Sequence, residues 1–172
     1  MPSSRILAVL LVLTFGLGCA SAQTLQVGDA FPHVNAKSLS GGMLVVPDGH
    51  RAVVILGFTQ AAGKDSSSWS ARIARDFPAV PVDNLIVLDK VPGLMRGMIT
   101  SGIRHGMTGE RQAHSAALGS EGAAWREWAA GEDLSHAVVF AVDGTGHIRS
   151  IVDGTVTEAG YARLRAALLA TR

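Results

Sequence analysis

The segment from Arg51 to Asp65 (RAVVILGFTQAAGKD) sets an apolar run directly before a helix-forming stretch. Where a strand delivers the chain into a helix, free backbone N–H groups and the positive end of the helix dipole favour an anion or an ionised thiol. The side chains at that mouth are Thr59, Gln60, Lys64 and Ser66 to Ser68. They form a candidate pocket for an anionic ligand or a peptide; the plainer reading is a loop whose serines cap the helix. None of them is a cysteine, and the one cysteine of the chain, Cys19, lies far upstream.

Residues 92–107 (PGLMRGMITSGIRHGM) are the second candidate, with three methionines, four glycines, and Arg96, Arg104 and His105 as the basic or titratable side chains. Methionine is flexible and polarisable and adapts to varied apolar partners. Each glycine weakens a helix by about 1 kcal/mol against alanine. Leu94, Met95, Met98 and Ile99, flanked by Arg96 and Arg104, therefore make a candidate patch ordered by contact with a protein partner. Packing into the chain's own core is the alternative.

Other chemistry finds little support. His105 and His114 are nine residues apart, with Met95, Met98 and Met107 nearby, a donor set that suits Cu(I). The methionine spacing is equally a packing stripe and no cysteine pair accompanies it, so no metal and no cofactor is assigned. The sequence has no Gly-x-Ser-x-Gly elbow and no His-Glu-x-x-His motif. Gly144-Thr145-Gly146 is followed by no helix, so it reads as a hairpin turn and not a phosphate loop. Trp125 and Trp128 read as helix packing, with a partner anchor as the second possibility.

Composition narrows the classes further. At 172 residues the chain is long enough for one domain with a core of its own. With 48% hydrophobic and 17% charged residues and a net charge of +1, it is neither a disordered chain nor a basic nucleic-acid binder. One cysteine excludes a disulfide framework, a four-cysteine zinc site and an iron–sulfur cluster.

Residues 1–22 (MPSSRILAVLLVLTFGLGCASA) carry Arg5, a thirteen-residue apolar run from Ile6 to Gly18, and Ala20-Ser21-Ala22. That order is the signature of a signal peptide, and the run is shorter than a membrane span. Cleavage after Ala22 would leave residues 23–172 as one cysteine-free, periplasmic or secreted domain. Lipidation at Cys19 is the lesser reading, because Gly16 stands where a lipobox carries a larger apolar residue. Only in that case is a membrane contact expected.

The elements that would position the candidates follow from periodicity. Met43 to Val46 reads as a short strand, Arg51 to Thr59 as a strand covered on both faces, and 65–77 as a helix with Asp65 or Ser66 as N-cap. Leu85 to Leu88, with Asp89, is a second buried strand after the turn-prone Pro81-Val82-Asp83-Asn84. Helices follow from Pro92 and over 121–130. His136–Asp143 and His147–Asp153 form a hairpin, and 157–170 a closing helix. The order β, βαβ, helices, hairpin, α is that of an α/β sandwich with a central mixed sheet flanked by helices.

Three strings carry a resemblance within that order. Val27-Gly28-Asp29-Ala30-Phe31-Pro32 resembles the opening of peroxiredoxin and periplasmic thiol-reductase relatives. The strand ending in Phe58-Thr59 resembles the one that leads into a thioredoxin active-site helix. Val139 to Ile148 (VFAVDGTGHI) resembles the closing hairpin of the same thioredoxin-like superfamily. GFTQAAGKDSSSW, VPGLMRGMITSGIRHGMTGERQAH and the Trp-bearing helix further resemble a divergent branch that includes mitochondrial ATP synthase assembly factors.

The resemblance implies a thioredoxin-like fold, and the departures from it decide the function. The position that should hold a thiol reads Gln60-Ala61-Ala62-Gly63, and Leu134-Ser135-His136-Ala137 occupies the place of the cis-proline. The expectation is a non-catalytic, exported binding or assembly module for a protein partner. The alternatives are a thiol-peroxidase or reductase relative with residual enzymatic activity, and a periplasmic copper carrier.

Overall fold

The structure is a computed structural model that describes residues 24–130 and 132–170. The stretch 1–22 and Cys19 lie outside the described residues.

Ala52–Gly57 (β3) reads AVVILG and occupies the middle of a five-stranded sheet, which is why it is apolar on both faces. The strand order is β5-β4-β3-β6-β7, with β4 at Val82–Val87, β5 at Ser115–Leu118, β6 at Val138–Val142 and β7 at Ile148–Asp153. β3, β4 and β5 run parallel, β6 returns antiparallel beside β3, and β7 lies antiparallel beside β6 at the sheet edge. Successive side chains of β3 alternate between two cores, as the period of two requires.

Val53 and Ile55 face α1 (Gln60–Asp76) and α5 (Glu158–Ala170), packing on Trp69, Ile73, Tyr161, Leu164 and Leu168. The indole Nε1 of the fully buried Trp69 donates to Gly154 O at 2.9 Å, tying α1 to the end of β7. Gly160 lets α5 approach closely: a Cβ there would stand 2.9 Å from Val152 Cγ1.

Val54 and Leu56 face the opposite core, which holds Phe31, the hairpin β1–β2 (Val34–Lys37 and Met43–Val46) and α4 (Gly122–Trp128). Phe31 lies 5.3 Å from Trp125 and 5.5 Å from Phe140 between ring centroids. Trp128 meets Trp125 edge-on at 5.0 Å. α2 (Gly93–His105) and the short α3 (Gly109–Ala113) connect β4 to β5. This mixed sheet with helices on both faces is the thioredoxin-like sandwich anticipated from the sequence.

Several local expectations are corrected. α1 begins at Gln60, not at 65: Thr59 is the N-cap and accepts from Ala62 N, so Asp65 and Ser66 sit inside the helix and are buried. The turn-forming pair Asp83-Asn84 lies within β4, because side chains from neighbouring elements satisfy both residues. β1, α3 and β5 were not anticipated. β5 reads Ser-Ala-Ala-Leu, which has no β-branched residue, and it exists through its pairing with β4.

Candidate functional site

The carboxyl ends of β3 and β4 open towards the N-terminus of α1, where Thr59 fixes the first turn. Its hydroxyl accepts from Ala62 N at 3.1 Å and donates to Ser135 O at 2.7 Å, joining the helix start to the loop before β6. One turn on, Asp65 bonds His136 Nδ1 at 2.8 Å. That hydrogen bond is the main reason the imidazole is held above its ordinary pKa, against a desolvation penalty. On the other flank Ser66 Oγ donates to Asn84 Oδ1 at 2.5 Å, and Ser70 reaches the same oxygen at 3.5 Å. Two polar ties, a part-buried one to the β6 loop and a buried one to β4, therefore hold the first two turns of α1.

Between this helix mouth, the end of β4 and α2 lies a cavity of about 650 Å³. Thr59, Gln60 and Ser66 line it; Lys64 is exposed and is not part of the lining. The remaining wall is mainly apolar, including Leu85, Leu88, Val91, Ile99, Ile103 and Met107. Arg126 borders it with its charge matched: Nη2 and Nε lie 2.7 and 3.1 Å from the Asp89 carboxylate, and the guanidinium stands 4.9 Å over the Phe58 ring. The Arg126 hydrogen bond holds Asp89 below the usual carboxylate range.

Chemically the site is quiet. The only hydroxyls along it, Thr59 and Ser66, donate to a carbonyl and to an amide oxygen, so neither has a base to activate it. Ser67 and Ser68 bond back to Gly63 O and Lys64 O within the helix and cap nothing. The described residues include no cysteine. Among them no group of three or more His, Cys, Asp or Glu could hold a metal. His105 Nδ1 lies 2.7 Å from Ser101 O and His114 Nδ1 2.8 Å from Asp83 Oδ1, so each candidate ligand has a partner of its own.

The structure divides the expected six-residue patch over three sides of α2. Leu94, Met95 and Met98 are exposed, Leu94 completely. Ile99 turns the other way and lines the cavity. Arg96 and Arg104 line a separate cleft of about 430 Å³ with Lys37 and Ser38. Arg96 is also structural, because Nε donates to Val91 O at 2.8 Å and Nη2 to Asp89 O at 3.3 Å. None of the thirteen residues of α2 is buried. The cavity itself escaped sequence reasoning; the only signal was that Ile99, Ile103 and Met107 recur every four residues, one helix face.

No protein-family model matches the chain, and no curated protein matches its sequence. Solved structures do match. A Chlorobium tepidum protein assigned as the thiol:disulfide interchange protein DsbE is 16% identical at TM-score 0.61, covering 84% of this chain and 99% of that one. The thioredoxin domain of a Bacteroides vulgatus thiol-disulfide oxidoreductase is 12% identical at TM-score 0.57, covering 87% and 100%. A thiol peroxidase from Chromobacterium violaceum is 10% identical at TM-score 0.57, covering 87% and 90%. At these identities the likeness is one of fold, and the fold is thioredoxin-like.

Proposed function

We propose that this chain is a thioredoxin-fold binding module without thiol chemistry, which holds a protein partner on the outward side of α2. The observation that carries the reading is α2 itself: in a fold shared with proteins named for thiol reactions, it stands beside the mouth of α1 and exposes Leu94, Met95 and Met98. Residues 90–107 contain Lys90, Arg96, Arg104 and His105 and no acidic side chain, so the fitting partner segment is apolar and acidic. The Gln60-Ala61-Ala62-Gly63 turn supports a role in binding or assembly over redox turnover. The signal-like residues 1–22 support a periplasmic or secreted setting, and among the described residues no helix is long and apolar enough to cross a membrane.

The test has two arms. The purified protein should neither reduce insulin disulfides nor consume peroxide above a heat-treated control. Capture of its partner from extracytoplasmic extracts should fall at least tenfold for Met98→Ser and for Arg104→Glu, with melting unchanged. Arg104 replaces Arg96 as the charge to reverse, since Arg96 braces the loop before α2. Turnover in either assay, or capture indifferent to both substitutions, overturns the reading.

A further inference from the structure

α2 has glycines that its conformation does not require. Gly93, Gly97 and Gly102 lie within the helix, none has a positive φ, and a Cβ built on any of them meets nothing within 4 Å. Packing does not demand them, and each lowers the ratio of formed to open helix about fivefold relative to alanine. No residue of the helix is buried to offset that loss. The helix nevertheless closes one side of a cavity of about 650 Å³, within the size range of small-molecule sites.

The lining states what such a molecule must be. Leu85, Leu88, Val91, Ile99, Ile103 and Met107 contribute apolar surface from β4, the following loop and α2. Two cations border the cavity: Arg126 is already matched by Asp89 through two hydrogen bonds, and Lys90 is exposed to water; Ser66 is spent on Asn84. A charged ligand would exchange water for mainly apolar surroundings that hold no unmatched buried counter-charge, which is costly.

We infer that the cavity behind α2 binds an uncharged, apolar small molecule, and that α2 is a labile lid over it. The inference stands apart from the partner reading, which uses the outward side of the same helix. A ligand enters when the glycine-weakened helix opens and is retained when it closes. Stabilising the helix therefore slows uptake and release by the same factor and leaves affinity nearly unchanged, because the closed form already dominates.

The test uses N-phenylnaphthylamine, an uncharged dye that brightens in apolar surroundings, with the full chain. One dye per chain should bind saturably. Ile103→Glu, on the cavity side at a half-buried position, should weaken binding at least tenfold, while Leu94→Glu on the exposed side should not. Ile99→Glu provides a second cavity-side variant, with circular dichroism to confirm the fold of each. Gly97→Ala with Gly102→Ala should slow uptake and release together, by up to about 25-fold if the two add. No saturable binding, equal effects of Ile103→Glu and Leu94→Glu, or unslowed exchange in the glycine variant overturns the inference. A preference for the anionic dye anilinonaphthalene sulfonate overturns the ligand class. Dye binding left intact in Met98→Ser is expected, since Met98 lies on the outward side, and a tenfold loss of dye binding there overturns the inference while leaving the partner reading untouched.

Discussion

Replacing Ala61 by cysteine asks whether the helix mouth offers the electrostatics that thiol chemistry uses. Ala61 is the second residue of α1 and is exposed. Ala62 N is taken by the Thr59 hydroxyl and Gly63 N by Thr59 O, and the first turn contains no acidic residue to oppose an anion. An anion at an exposed helix N-terminus gains about 0.3–1 kcal/mol. At 1.36 kcal/mol per unit, the Ala61→Cys thiol should ionise about 0.2–0.7 units below the ordinary value near 8.5. Ser68→Cys is the control, two turns further on at an exposed site whose hydroxyl bonds only Lys64 O. Both belong in a Cys19→Ser background, so that a single thiol reports. The pH dependence of iodoacetamide alkylation at low ionic strength gives both values. An Ala61→Cys thiol that titrates no lower than the Ser68→Cys thiol refutes the claim that the mouth favours an anion.

Gly122→Ala should destabilise the fold by about 1–3 kcal/mol in urea unfolding, because its Cβ would sit 2.6 Å from Val87 Cγ1 and force α4 off the sheet. Trp69→Phe should cost about 1–3 kcal/mol from the unpaired Gly154 carbonyl alone, with a void added; a loss under about 0.5 kcal/mol would show that the Trp69–Gly154 bond is not made. The His136 pKa is raised chiefly by its bond to Asp65, so that contribution is present below the ordinary value near 6.5 and lost as pH rises through the raised one. His136→Gln should therefore reduce the loss of stability measured between about pH 5 and pH 9. Asp89 is held low chiefly by Arg126, so its contribution is present above about pH 4 and lost as pH falls through the lowered value; Arg126→Gln should flatten the acid limb of the same profile.

The parts of the fold legible in the sequence are those where local pattern and tertiary environment agree. RAVVILGFT is apolar on both faces because β3 is central, and VFAVDGTGHI turns where Gly146 has a φ of +83°. The illegible parts are those where tertiary partners override local preference. Asp83 and Asn84 look like a turn until His114 and Ser66 supply their hydrogen bonds, and Ser115 to Leu118 looks like nothing until β4 lies beside it. The N-terminus of α1 was misplaced for a related reason. Three consecutive serines suggest a cap, but two of them bond carbonyls one turn back, and the cap is the isolated Thr59.

The site was legible only as separate pieces. The 59–66 segment and the 92–107 segment each stood out, but nothing local says that one cavity joins them, because its wall also needs the end of β4 and Arg126. Helix periodicity could place Ile99, Ile103 and Met107 together and Leu94 and Met98 opposite them. It could not say which side faces the protein. An ordinary surface helix answers that question with a polar outer face, and the first half of α2 departs from that rule: Leu94, Met95 and Met98 point outward, and only beyond them do Ser101 and His105 make the same side polar. A helix with apolar surface on two sides and no buried residue leaves both sides short of partners. The cavity side is answered within the chain by a space fit for an apolar molecule, and the outward side calls for a surface from outside it. For that reason Ile103 and Met98, less than two turns apart on α2, are expected to report on different ligands.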